Sequence, residues 1–128
     1  MANRKLNSTY SRNEESLTEC DLSYAVNMIG GRWKLQILHL VENRICRFVE
    51  MKKEFPLMTE RMLTLQLRAL EQDGLLMRTV YAELPPRVEY QLTEMALELM
   101  PILHSLSDWG SRKRAVNSRE TESPEATE

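Results

Sequence analysis

Hydrophobic residues recur at helical spacing in five stretches of the chain and alternate in two. Positions 21–29 place Leu22, Ala25, Val26 and Ile29 on one side of a short helix, which Gly30-Gly31 stops. Positions 32–41 repeat the pattern with Trp33, Ile37, Leu40 and Val41. Ile45-Cys46-Arg47 reads as a short extended piece, and 48–55 as a third helix with Phe48, Met51 and Phe55 on one side, closed by Pro56. Thr59 is the natural N-cap of a fourth helix that ends at Gly74. At about 100° per residue, Leu63, Leu67 and Leu70 share one face of it. Arg61, Leu65, Arg68 and Gln72 fall on the opposite face, with Thr64 beside them. Two extended runs follow, 76–81 and 88–92, joined by a tip, Ala82-Glu83-Leu84-Pro85-Pro86, whose prolines stay outside a ladder. Thr93 then caps a last helix that runs to about Trp109, with Pro101 expected to kink it.

The resulting order is helix, helix, short strand, helix, helix, strand, strand, helix. This predicts a mainly α fold with a small β-hairpin wing: a winged helix-turn-helix, whose second helix enters the DNA major groove while the hairpin lies on the flanking backbone. The ends offer little to bury. Residues 1–19 hold only Leu6 and Leu17 as large aliphatic side chains, and 111–128 only Val116, so a flexible N-terminal arm and a flexible C-terminal tail are expected around a domain at 20–110.

Composition narrows the class. With 128 residues, one domain is expected. Aromatics at 6% and four glycines disfavour dense β architectures. No apolar run is long enough to span a bilayer and no apolar segment follows the basic N-terminus, so a cytoplasmic location is expected. The net charge of −2 does not by itself indicate nucleic acid, and 20–110 carries ten basic and twelve acidic side chains. A DNA reader built this way needs a local basic face.

The face of the fourth helix supplies one. Arg61 or Arg68 has the geometry for a bidentate contact to guanine, and Leu65 suits a thymine methyl. Thr59 and the first N–H groups of the helix suit a phosphate. Arg87, held near the wing tip by Pro85-Pro86, is the leading phosphate contact there, with Arg78, Lys52, Lys53, Arg44 and Arg47 as further candidates. Solvated surface charge is the competing reading for each of them.

The last helix is apolar over an arc of about 180°, wider than one small core needs. Leu99, Ile102, Leu103, Leu106 and Trp109, joined by Leu22, Tyr24 and Met28 of the first helix, therefore predict a homodimer interface. A core internal to one chain is the alternative. Two-fold symmetry would set the reading helices about 34 Å apart, matched to an inverted repeat. Cys20 precedes the first helix, where the dipole favours a thiolate, while Glu19 and Asp21 oppose it. It is a candidate redox sensor, with an inert cysteine as the alternative. Cys46 reads as core. The two cysteines lack C-x-x-C spacing, and His39 and His104 lack ligand neighbours. No metal, cofactor or catalytic constellation is expected, and no membrane partner.

Several segments in order resemble one family. Gly30-Gly31-Arg32-Trp33-Lys34 is similar to its G-G-K-W word. Positions 62–75 match M-L-T-x-x-L-R-x-L-E-x-D-G-L. Arg78-Thr79-Val80-Tyr81 and Pro85-Pro86-Arg87-Val88-Glu89-Tyr90 resemble its wing, and Leu92-Thr93, Pro101 and Asp108-Trp109-Gly110 its final helix. On these residues the chain resembles the HxlR-type branch of MarR-like bacterial transcriptional regulators. The resemblance implies a homodimeric DNA-binding regulator and, in some members, sensing of quinones, aldehydes or thiol-reactive compounds through an N-terminal cysteine. Three positions depart from the pattern: Asp21 where Cys-Pro is common, Leu57-Met58 where glycine is usual, and Leu65 where a polar residue is usual. The first bears on the redox role and the last on base preference. The alternatives are a winged-helix protein-interaction module and a regulator that senses a small ligand in an apolar pocket between dimer helices.

Overall fold

The computed structural model describes residues 20–122. Its elements are α1 (Asp21–Ile29), α2 (Lys34–Glu42), α3 (Phe48–Glu54), α4 (Glu60–Gln72), β1 (Leu76–Tyr81), β2 (Arg87–Leu92) and α5 (Glu94–Glu122). This is a winged helix-turn-helix, with α3 and α4 as the two helices of the motif and an antiparallel β1–β2 hairpin as the wing. The hairpin register runs from Leu76 opposite Leu92 to Tyr81 opposite Arg87.

The core forms where the helical stripes meet. Ile37, Leu38 and Val41 of α2, Met51 of α3, Leu63, Leu67 and Leu70 of α4, and Ala96 and Met100 of α5 are all buried, with Leu76 and Tyr90 closing it from the hairpin. Trp33 packs its ring edge on Phe55 at 5.5 Å between centroids. The turn between α3 and α4 is fixed from both sides. Thr59 Oγ1 accepts a hydrogen bond from the Met62 N–H at 3.1 Å. Met58, just before this cap, is buried with Leu63 on the first turn of α4, an apolar staple that sets the entry angle of the helix.

The junction of α4 and the wing is as well determined. Gly74 has φ +75°, the left-handed conformation that ends a helix at low cost in glycine. Its carbonyl accepts from the Thr93 hydroxyl at 2.6 Å, and Thr93 Oγ1 in turn accepts from the Ala96 N–H at 3.2 Å. Thr93 thus caps α5 and ties its start to the end of α4.

Four expectations are corrected. The last helix does not stop near Trp109: α5 continues unbroken through Pro101 and Gly110 to Glu122. Positions 111–122, read as part of a flexible tail at 111–128, are therefore helical. Only Gly31 and Gly74 among the glycines have positive φ, so Gly110 does not act as a stop. The short strand at Ile45-Cys46-Arg47 is reduced to one bridge, Arg47 opposite Glu89, with the Tyr90 N–H donating to the Cys46 carbonyl at 2.9 Å. Helix α2 begins two residues later than its apolar pattern, with Trp33 as its cap, and α3 ends one residue earlier, capped by Phe55. The expected N-terminal arm, 1–19, lies outside the described residues, as does 123–128. Among the described residues no helix is long and apolar enough to cross a membrane.

Candidate nucleic-acid interface

The two faces of α4 separate as its periodicity requires. Leu63, Leu67 and Leu70 are at most 1% exposed, while Leu65 is 52% exposed. Arg61, Arg68 and Gln72 are exposed with Leu65, and Thr64 is half-buried. Thr59 sits at the N-terminus with its oxygen engaged by the Met62 N–H. Its hydroxyl proton remains available to an acceptor. The Glu60 carboxylate in the first turn favours the helix dipole and at the same time opposes an incoming anion there.

A shallow groove runs between α4 and the wing. Thr64, Arg68 and Glu71 line it from the helix, Arg78, Val88 and Tyr90 from the hairpin, and Phe48 from the start of α3. Arg68 and Arg78 therefore converge on one surface although ten positions separate them in the sequence. Among the described residues, the salt bridges engage Arg47, Arg87 and His104, and none engages Arg61, Arg68 or Arg78. Those three arginines keep their charge available to a polyanion.

Arg87 does not. Its Nη2 lies 3.3 Å from Glu83 Oε2 and its Nε 3.3 Å from Glu89 Oε2, and its guanidinium stacks 4.2 Å from the centroid of the Tyr81 ring. Arg47 Nε approaches the same Glu89 oxygen at 3.5 Å. The sequence marks Arg87 as the wing cation, and the structure adds that two carboxylates already occupy it. The same-face spacing of Arg87 and Glu89 on one strand was a legible signal for half of this arrangement.

Cys20 is exposed and occupies the N-cap of α1. The Ser23 hydroxyl, then the Ser23 and Leu22 N–H groups, stabilise its thiolate and hold its pKa below the ordinary thiol value. Cys46 is half-buried, and burial, followed by the carboxylates of Glu89 and Glu50, pushes its pKa up. Among the described residues no three His, Cys, Asp or Glu side chains are grouped to hold a metal ion.

The apolar surface singled out for dimerisation is divided. Leu99 and Leu103 are half-buried against the core, whereas Ile102, Leu106 and Trp109 are more than half exposed. Helix α1 has no buried residue: Leu22 and Tyr24 stand in solvent and Met28 is half-buried. On α5 the half-buried Leu99 and the exposed Met95, Ile102, Leu106, Trp109, Lys113 and Val116 form one row at alternating steps of four and three. The sequence pattern carries this row only to Trp109, where the helix is expected to end.

A family model described as HxlR-like helix-turn-helix matches residues 28–118. The HTH-type transcriptional regulator YdeP of Bacillus subtilis (strain 168) is 43% identical over 113 residues, which cover 88% of this chain and 86% of that protein. Among solved structures, the redox regulator HypR in its reduced form superposes with a TM-score of 0.70 at 40% identity, over 77% of this chain and 97% of that one. A transcriptional regulator of Enterococcus faecalis V583, described as of the MarR family, gives a TM-score of 0.69 at 33% identity, over 88% of this chain and 98% of that one.

Proposed function

The chain belongs to the HxlR-like helix-turn-helix family of transcriptional regulators, and from that premise we propose that it binds an inverted-repeat operator as a homodimer, α4 reading the major groove. The observation that carries this reading is the exposed arginine face of α4, Arg61 and Arg68, next to Arg78 of the wing, with no acidic partner among the described residues. In it, Arg61, Thr64, Leu65, Arg68 and Gln72 face base edges, and Thr59, Arg78 and Arg87 face phosphates. Arg68→Ala should weaken binding to the operator by about 1–3 kcal/mol, roughly 5- to 150-fold in Kd. Its effect on an unrelated duplex should be smaller. Titration of both duplexes against wild type and variant measures this. Equal affinities for the operator would remove Arg68 from the interface, and a protein that binds no duplex would favour a protein-interaction module instead.

The dimer is supported by the row from Met95 to Val116. Steps of four and three are the 3.5-residue period of a helix seam that packs on another helix. Apart from Leu99, which also packs on the core, its members are exposed in the single chain, so a second copy is the occupant that symmetry offers most simply. In this reading Leu22, Tyr24 and Met28 of α1 flank the seam. The cytoplasm, where such regulators meet their operators, is the location this function requires.

Cys20 gives the regulator an input. An exposed thiol with a lowered pKa reacts with oxidants and electrophiles faster than a half-buried one with a raised pKa. The similarity to a redox regulator is in keeping with this. At neutral pH, iodoacetamide should alkylate Cys20 well before Cys46, as followed by mass spectrometry of the intact chain and its peptides. Diamide should change operator affinity in wild type and leave Cys20→Ser unchanged. Equal alkylation rates, or an oxidant response that survives Cys20→Ser, would assign the input elsewhere.

A further inference from the structure

The wing presents an arginine that is already neutralised. Arg87 opens β2, Glu89 lies two residues along the same face, and Glu83 reaches back from the tip. Arg47, from the start of α3, joins through Glu89, so two guanidinium groups and two carboxylates form a chain of zero net charge. The two carboxylates are not equivalent. Glu89 is 21% exposed, is shared with Arg47, and sits at the backbone bridge that fastens the wing to α3. Glu83 is half exposed at the tip and touches only Arg87 among these groups.

The contacts of Arg87 are exchangeable. Its Nε is buried yet has no partner of hydrogen-bond geometry, so the pairing with Glu89 is one of charge without a directed N–H bond. A phosphate accepts such donors in bidentate fashion and carries comparable charge.

We propose that Glu83 is a carboxylate competitor for the wing arginine, released only when α4 docks and brings a backbone phosphate to Arg87. The inference rests on the DNA-binding reading above and deepens it by naming what restrains the wing before DNA arrives. A cation that is paired in the unbound protein adds little to long-range attraction toward any duplex. It adds a phosphate contact once the reading helix has set the register. Glu83 thereby suppresses binding to unrelated DNA more than binding to the operator, and acts as a specificity-determining residue that touches no base. Glu89 is the positioning residue of the pair, because it also holds the wing to α3.

The test uses the full chain as wild type, Glu83→Gln, Arg87→Ala, the double variant and Arg68→Ala. Each is titrated with the operator and an unrelated duplex across a range of salt. Glu83→Gln should tighten binding to the unrelated duplex several-fold. Its log–log salt slope should steepen by up to about 0.9, the value for one added phosphate contact. In the Arg87→Ala background the same substitution should have no effect. A gain that persists without Arg87 would be simple loss of negative charge and would overturn the competitor, as would no gain at all. If Arg68→Ala weakens operator binding as expected while Glu83→Gln changes nothing, only the competitor falls. If no variant and no wild-type sample binds a duplex, both readings fall together.

Discussion

Replacing Ile102 and Leu106 together by glutamate should leave a folded monomer that has lost most of its hold on an inverted repeat. Both side chains are more than half exposed in the single chain, at 63% and 52%, so the substitutions neither open a cavity nor bury a charge within it. In a two-fold dimer they would set like charges into the apolar seam of facing α5 helices, where an unpaired carboxylate is strongly disfavoured. A monomer engages one half-site at a time and forfeits the effective concentration that the second recognition helix enjoys once the first is bound. That advantage is commonly 10²- to 10⁴-fold, so operator affinity should fall by about that factor, whereas non-specific affinity should change much less. Sedimentation at micromolar concentration should report one chain of 15.0 kDa where wild type reports two. Trp109, 56% exposed in the single chain, supplies an optical check, since its fluorescence should shift to the blue as wild type associates. A wild-type monomer at that concentration would sink the dimer outright. A double variant that stayed dimeric would move the interface off α5.

The elements of this fold are written in local terms, and the site is only partly so. Thr59, Gly74 and Thr93 each signal a boundary by a mechanism that acts within a few residues, and each sits where those signals place it. The leucines of α4 repeat with the helical period, so the burial of Leu63, Leu67 and Leu70 and the exposure of Leu65 follow from spacing alone. Gly110 does not end α5, because a glycine favours a helix end where the chain turns left-handed, and φ is not written in composition. Past Gly110, Arg112, Lys113, Arg114 and Ala115 are good helix formers with no breaker among them, and their propensity outweighs the roughly 1 kcal/mol cost of one glycine. In the proposed dimer, the extension would carry the seam to Val116. The spacing of Arg87 and Glu89 on one strand foreshadows their pairing, but the link from Glu89 to Arg47 is invisible in the sequence for a different reason. Glu89 meets Arg47 only because the tertiary fold lays the start of α3 beside the wing, and no local pattern encodes that approach. Arg68 and Arg78 meet across one groove for the same reason.

Leucines two residues apart on α4 should behave in opposite ways, and the contrast tests the reading face without any knowledge of the operator. Leu67 is 1% exposed and Leu65 52% exposed. Leu67→Ala removes buried methyl groups from the centre of the core, beside α2 and the hairpin, and should cost about 2–5 kcal/mol. That is a large part of the roughly 5–15 kcal/mol that holds a domain together, so the melting temperature should drop by about 10–30 °C. Leu65→Ala exposes no core and leaves every neighbour's contacts intact, so its stability should stay within about 0.5 kcal/mol of wild type. Operator discrimination should change in Leu65→Ala, because the side chain stands between Arg61 and Arg68 on the outward face. In Leu67→Ala any loss of binding should track the unfolded fraction and vanish on cooling. Both variants must be melted at one protein concentration, since association with a second chain raises the apparent stability. Equal destabilisation by the two substitutions would mean that α4 is rotated about its axis in solution, with Leu65 packed inward. Arg61 and Arg68 would turn with it, and the surface assigned to DNA would no longer face a groove.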